Sequence, residues 1–445
     1  MHSLHQYRTG PLPFQASTRC PATTKTIKAS SSDRTLVAHA SHGQTQDCNS
    51  SSSSSTSTTQ SATTTKRQLG VSAAALTAGL AATRVNPSYA LAGDSAAAAV
   101  ADTLPQVPHV QLAPNAAGFE VSQVIKGCWQ LSGGHKGDKQ TDRTGGEAAV
   151  RDFNNFVAAG ITTFDAADHY GPAEVLIGRF LKENPELKGK VQVATKYCVF
   201  SGRDMATLSK ASVAAAVDVS RQRLGVDKID LLQFYWQDYG YDRYVDAALY
   251  LTELKAAGVI GQVGVTNFDV PRLEKMIGKG AELASNQVQY SLLDRRPANV
   301  MASFCEANGM SLLPYGVVAG GFLSDKYLNL SVRDVSVDTY SKGKYASVLG
   351  QAGGWSWLQQ LLQVLQQVAA KHGTSISNVA SRWVLQRPAV PAIILGARNA
   401  SHVPDHQRLF GFELDADDLA AINGVLAAGS RPKGDCYDWE RGGTF

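Results

Sequence analysis

The sequence predicts an α/β fold, a (β/α)8 TIM barrel behind a disordered N-terminal targeting leader. Three observations lead there. From about Gln111 onward, eight short apolar runs alternate with segments of three- and four-residue apolar spacing. A glycine stands where each of five helical patterns should stop: Gly160, Gly225, Gly258, Gly309 and Gly373. No GxGxxG follows the first strand and no P-loop occurs, so an open doubly wound sheet gives way to a barrel.

The 445 residues carry a net charge of +4, but the charge is uneven. Met1 to Ala92 holds eight Lys/Arg and two Asp/Glu, a net of +6, which leaves −2 for the remainder. That remainder has no basic surplus to bind nucleic acid. The first 65 or so residues are Ser/Thr-rich, include the run Ser50–Ser55 and lack Glu. Such a composition cannot bury a core and matches an organelle transit peptide. Lys66-Arg67, the weakly apolar Leu69 to Ala82 and the small-x-small Ala90-Leu91-Ala92 follow. They suit either the second half of a thylakoid-lumen leader or the alanine-rich end of a stromal one. Chloroplast residence is expected on both readings. The apolar stretch is too short to span a membrane. We therefore divide the chain into a leader (1–92), a linker (93–115) and a barrel (116–445).

Within the barrel the elements read in order. Strand Val121–Gly127 precedes helix Ala148–Ala159, and Thr162–Ala167 precedes Ala173–Asn184. Val191–Lys196 leads to Ser209–Leu224, and Ile229–Tyr235 to Tyr244–Ala257. Gln262–Thr266 leads to Pro271–Ile277, and Ala284–Gln289 to Ala298–Asn308. Ser311–Tyr315 opens a long irregular segment from Gly320 to about Ser356, then helix Leu358–Lys371 and the last strand, Ala392–Leu395. Cys128, Cys198, Cys305 and Cys436 are widely spaced without CxxC, which reads as buried thiols and not as a zinc or disulfide framework.

Barrel chemistry belongs at the C-terminal ends of strands. There the second strand offers Asp165 and Tyr170, and the third Lys196. A buried Lys196 needs a counter-charge, and Asp165 on the neighbouring strand end supplies it. A cation beside a phenol favours phenolate, so Lys196 is expected to lower the Tyr170 pKa. Together the three form an acid group suited to protonating a developing alkoxide. His402 and His406 share a helix face at metal-ligand spacing but lack a third ligand nearby in sequence, so no metal is expected. His169 is expected to bond within its own loop. A metal-dependent hydrolase is disfavoured because no His/Asp cluster is visible at the strand ends.

The run Phe164-Asp165-Ala166-Ala167-Asp168-His169-Tyr170-Gly171 resembles the aldo-keto reductase family. So, in order, do Ala194-Thr195-Lys196, Gly264-Val265-Thr266-Asn267-Phe268, Asn286-Gln287 and Gly396-Ala397-Arg398-Asn399. The resemblance spans nearly all of 111–445. It implies a catalytic group of Asp165, Tyr170 and Lys196, with Tyr235 standing where the family usually has His. A tyrosine hydroxyl can polarise a carbonyl but is bulkier, with a higher reference pKa. The resemblance further implies that Thr266, Asn267 and Gln287 hold a nicotinamide carboxamide and that Tyr315 stacks on its ring. Gly316, Gly320, Gly321 and Asn399 belong to the same cofactor set, and the segment after Gly320 would fold over it. Arg398 suits a 2′-phosphate, which favours NADP(H). The expected activity is NADPH-dependent reduction of a small-molecule aldehyde or ketone, with Trp129 and Trp236 lining the substrate mouth. The alternative is an NADP(H)-binding sensor or regulatory barrel, motivated by Tyr235.

Overall fold

The computed structural model describes residues 104–133 and 145–441, and the expected leader lies outside them. Eight strands, β1 (Val124–Gly127), β2 (Thr163–Asp165), β3 (Gln192–Val199), β4 (Ile229–Trp236), β5 (Ile260–Thr266), β6 (Ser285–Gln289), β7 (Ser311–Tyr315) and β8 (Ile393–Gly396), form one parallel sheet. Its order is β8-β1-β2-β3-β4-β5-β6-β7, a nearly closed barrel. The seam between β7 and β8 is bridged where the Leu312 N–H donates to the Ala389 carbonyl at 2.7 Å. Helices cover the outside, and Gly160, Gly225, Gly258, Gly309 and Gly373 all take positive φ where their helices end. Glycine meets no Cβ penalty there.

The stretch expected to begin the barrel with one long strand divides at Gln123. Glu120–Ser122 pairs antiparallel with His109–Gln111, and Val124–Gly127 enters the barrel. Part of the expected linker is therefore built into the fold. Leu112, Ala113 and Ala116 of this hairpin pack with the inward-facing Ile125, Ala194, Leu231, Ala284 and Leu313. Those residues sit toward the strand starts, so the hairpin plugs the lower end and leaves the C-terminal mouth for chemistry.

The segment from Gly320 to Ser356 is more regular than expected. It holds short 3₁₀ turns, helix Tyr340–Ala352 and the start of helix Gly354–His372. Gly343 and Gly350 disguise Tyr340–Ala352, since each lowers helix propensity. The Thr339 side chain nevertheless caps the helix by accepting from the Lys342 N–H, and Tyr345, Val348, Leu349 and Ala352 form its buried stripe.

The chain end is fastened by a buried cation. Arg296, 1% exposed, donates to Asp294 Oδ2 at 2.7 Å and to Glu440 Oε1 at 3.0 Å, and also to the Asp435 carbonyl. Asp294 is itself fully buried. Replacing Arg296 by Ala leaves that carboxylate without its counter-charge, a loss of about 3–5 kcal/mol. Chemical denaturation of Arg296→Ala should show this loss, and an unchanged midpoint would contradict the assignment.

Candidate active site

At the mouth, the Asp165 carboxylate is the point on which several strands converge. Its Oδ2 accepts from Lys196 Nζ at 2.7 Å, and its Oδ1 from Gln233 Nε2 at 2.9 Å and Gln287 Nε2 at 2.8 Å. Lys196 also donates to the Ala166 carbonyl at 2.7 Å. Burial opposes the Lys196 charge, but Asp165 and Tyr170 outweigh it and hold the ammonium above the ordinary lysine range. Strand alternation explains the convergence. Lys196 on β3 and Gln233 on β4 are register partners facing the barrel interior.

Tyr170 stands above this pair, with Lys196 Nζ 4.9 Å from its ring centroid. Trp129 meets the ring edge-on at 5.1 Å and His169 at 4.8 Å. Lys196 pulls the Tyr170 pKa down as expected, but not far enough to bring it below the ordinary tyrosine value. Burial dominates and pushes the phenol up to about 12, with Lys196 only moderating the rise. Tyr170 is therefore a neutral phenol near pH 7, the form that can give a proton.

Tyr235 also faces the mouth, where its hydroxyl donates to Gln237 Oε1 at 2.6 Å. Its one proton is thus already committed to a neighbour. Trp236, the next residue along the strand, points the other way. It is fully buried, and its indole N–H is held by the Asp238 and Tyr241 carbonyls, so it does not line the substrate mouth as expected. Of the two tryptophans, Trp129 reaches the cavity. Phe200 and Tyr437 complete this side of the cavity, and the Arg441 guanidinium packs over Tyr235 at 5.3 Å, Tyr239 at 4.5 Å and Tyr437 at 5.2 Å.

A cavity of about 850 Å³ runs from Tyr170 to Arg398. Thr266, Asn267, Gln287, Tyr315, Gly316, Gly320, Gly321 and Arg398 line it. Both Gln287 amide hydrogens are engaged, by Asp165 and by Gln233 Oε1 at 2.8 Å. Asn267 has a positive φ of 60° and accepts from the Tyr315 hydroxyl at 2.9 Å. Asn399 instead caps the turn Ala400–His402 by accepting from the Ser401 N–H. His402 and His406 stack at 6.4 Å, and burial drives His406 down to about 3, leaving it neutral. Among the described residues no third ligand joins this pair.

Helix Tyr340–Ala352 reaches across the same wall. Lys344 Nζ lies 4.8 Å from the Tyr315 ring centroid and within 3.3 Å of its hydroxyl. The Tyr345 hydroxyl fills the space where a Cβ on Gly316 would stand. Burial lowers Lys344 to about 8, against the opposing pull of Glu440 and Asp294.

Sequence reading missed Gln233, Gln237, Phe200, Lys344, Tyr345, Tyr437 and Arg441. Gln233 and Gln237 share the inward phase of Tyr235, so alternation along β4 is the signal that would have found them. Phe200 follows β3 in the phase of Lys196, Lys344 and Tyr345 lie in the segment expected to fold over the cofactor, and Tyr437 and Arg441 come from a distant segment with no local signal. His169 does bond within its loop, to Asp168 Oδ1 at 3.0 Å, but it also lines the cavity. Cys198 joins Asp168 and His169, so a mixed ligand cluster does exist at the strand ends.

Comparison with known proteins fits this geometry. Residues 123–427 match the Aldo/keto reductase family model. A chloroplastic pyridoxal reductase of Arabidopsis thaliana is 30% identical over 290 residues, 62% of this chain and 74% of that protein. An NADH-specific methylglyoxal reductase of Escherichia coli is 26% identical over 320 residues, 67% of this chain and 92% of that one. The solved glycerol dehydrogenase of Gluconobacter oxydans superposes with a TM-score of 0.60 at 26% identity, covering 75% of this chain and 97% of its own.

Proposed function

The chain belongs to the aldo/keto reductase family of oxidoreductases, and on that footing we propose that it reduces an aldehyde or ketone with NADPH, Tyr170 giving the proton. The observation that carries this reading is the neutral Tyr170 phenol beside a Lys196 ammonium whose charge Asp165 secures, all opening on one cavity. The cavity wall suits a nicotinamide dinucleotide. It presents hydroxyl and amide groups at Thr266, Asn267 and Gln287, glycine backbone at Gly316, Gly320 and Gly321, and a guanidinium at Arg398. Lys344 already covers part of the Tyr315 ring, so its flexible side chain and a stacked ring would compete for that surface. When bound, the nicotinamide supplies the hydride.

The protein's own groups handle the proton. Tyr170 releases its hydroxyl hydrogen to the substrate oxygen, and Lys196 stabilises the phenolate left behind. Asp165 keeps Lys196 charged through that step, while Trp129 and Phe200 exclude water from one flank. Tyr235, committed to Gln237, shapes the pocket more than it polarises the carbonyl. NADP(H) in place of NAD(H) is supported by Arg398, since guanidinium pairs bidentately with phosphate. The Arabidopsis relative, described as chloroplastic, supports plastid residence for this chain. The covering of Tyr315 by Lys344 favours a second reading, a barrel that holds NADPH without turning it over. Single-turnover oxidation of bound NADPH by small aldehydes separates the two.

Tyr170→Phe should lower carbonyl reduction by about 10²–10⁴-fold, the usual worth of a positioned acid, with NADPH binding by fluorescence titration retained. Unchanged turnover would refute the assignment. The acid form of Tyr170 persists below its raised pKa and is lost as pH climbs through it. kcat/KM for reduction should therefore stay level across the neutral range and fall only as pH nears about 12. A fall near neutrality would point to another acid. Arg398→Ala should cut the preference for NADPH over NADH roughly tenfold to a hundredfold, the worth of one or two charge-assisted hydrogen bonds. Steady-state kinetics with both cofactors checks this, and an unchanged ratio would remove Arg398 from the 2′-phosphate site.

A further inference from the structure

Strand alternation places Cys198 on the same side of β3 as Lys196, one step nearer the cavity, and Asp168 lies three residues beyond Asp165. The Asp165–Lys196 ion pair therefore has a second polar group above it. Asp168 Oδ1 lies 3.0 Å from His169 Nδ1, and Asp168 Oδ2 accepts from the Cys198 N–H at 2.9 Å. The carboxylate, the imidazole and the Cys198 Sγ offer three ligand atoms that all lie within 4.8 Å of one another. A tetrahedral zinc ion with bonds of about 2.0–2.3 Å needs ligand separations of roughly 3.3–3.8 Å. Small side-chain rotations close that gap, because His169 is exposed at the loop tip.

We propose that Asp168, His169 and Cys198 bind a thiophilic divalent cation of the Zn²⁺ class, with the fourth coordination position open to the active cavity. The donor set suits such an ion, since thiolate and imidazole favour zinc over magnesium or calcium. Carboxylate and thiolate together balance the dication, and binding sends the thiol proton to solvent. Asp165 already neutralises Lys196 nearby, so the cluster faces no uncompensated cation there. His169 and Cys198 both line the cavity, so the vacant corner of the tetrahedron faces it. His169 meets Tyr170 edge-on at 4.8 Å, and Cys198 is the register partner of Tyr235. A cation held there sits between the two tyrosines and blocks the approach of a carbonyl. This last consequence, inhibition, rests on the reductase reading; the binding itself does not.

The test uses Cd²⁺ as a spectroscopic stand-in for Zn²⁺ on the full chain. Titration of the wild type should raise a saturable ultraviolet thiolate-to-cadmium band at one equivalent, with Mg²⁺ giving none. Cys198→Ser should abolish the band. His169→Ala should keep it but weaken binding by at least the roughly 10–100-fold that even an outer-shell partner is worth. Zn²⁺ should slow NADPH-dependent turnover of the wild type and leave the turnover of Cys198→Ser, whatever its level, unaffected. No band, or a band that survives Cys198→Ser, overturns the proposal and reduces the cluster to a loop clasp. A band without any carbonyl reduction overturns the reductase reading and leaves the metal site standing.

Discussion

One buried carboxylate organises the mouth of this barrel. Asp165 accepts from side chains on β3, β4 and β6, so a single charge ties four strand ends together across the interior. A buried charge is tolerated only where its partners satisfy it, and here they do so completely enough to keep Lys196 cationic. The position of Tyr170 over that ammonium and the orientation of the Gln287 amide follow from the same constraint. Removing the carboxylate would release both amides and leave a buried ammonium, which makes Asp165 as structural as it is chemical.

Much of the fold could be read from the residues because local rules and the global architecture agree. Five glycines mark helix ends and take the left-handed conformation there. The alternation of apolar runs produced all eight strands to within a few residues. What escaped reading did so for physical reasons. Helix Ile376–Leu385 is buried on nearly every side, and the polar face of Ser377, Asn378, Ser381 and Arg382 that marks its period spans only ten residues. Helix Ala416–Ala428 is alanine-rich, and its capping box of Asp415 and Asp418 is the stronger signal.

The site divides along the same line. Asp165, Tyr170 and Lys196 could be placed at the cavity because strand ends point there, and Thr266, Asn267 and Gln287 because their motifs resemble the family's. Trp236 was misread because adjacent strand residues face opposite sides, and the inward phase belongs to Tyr235. The Tyr170 pKa was misjudged because sequence reveals a cation nearby but not the desolvation that outweighs it. Lys344, Tyr345 and Tyr437 arrive from segments remote in sequence, and only the folded chain brings them to Tyr315 and Tyr235.

The latch at Arg296 holds the last dozen or so described residues against the barrel, and through them Tyr437 reaches the cavity wall. Tyr437 and Arg441 are held against Tyr235 by a chain end that contributes no barrel strand. One flank of the pocket thus depends on a tail that carries none of Asp165, Tyr170 and Lys196. Changes in such a tail can reshape that flank while leaving every barrel strand as it is.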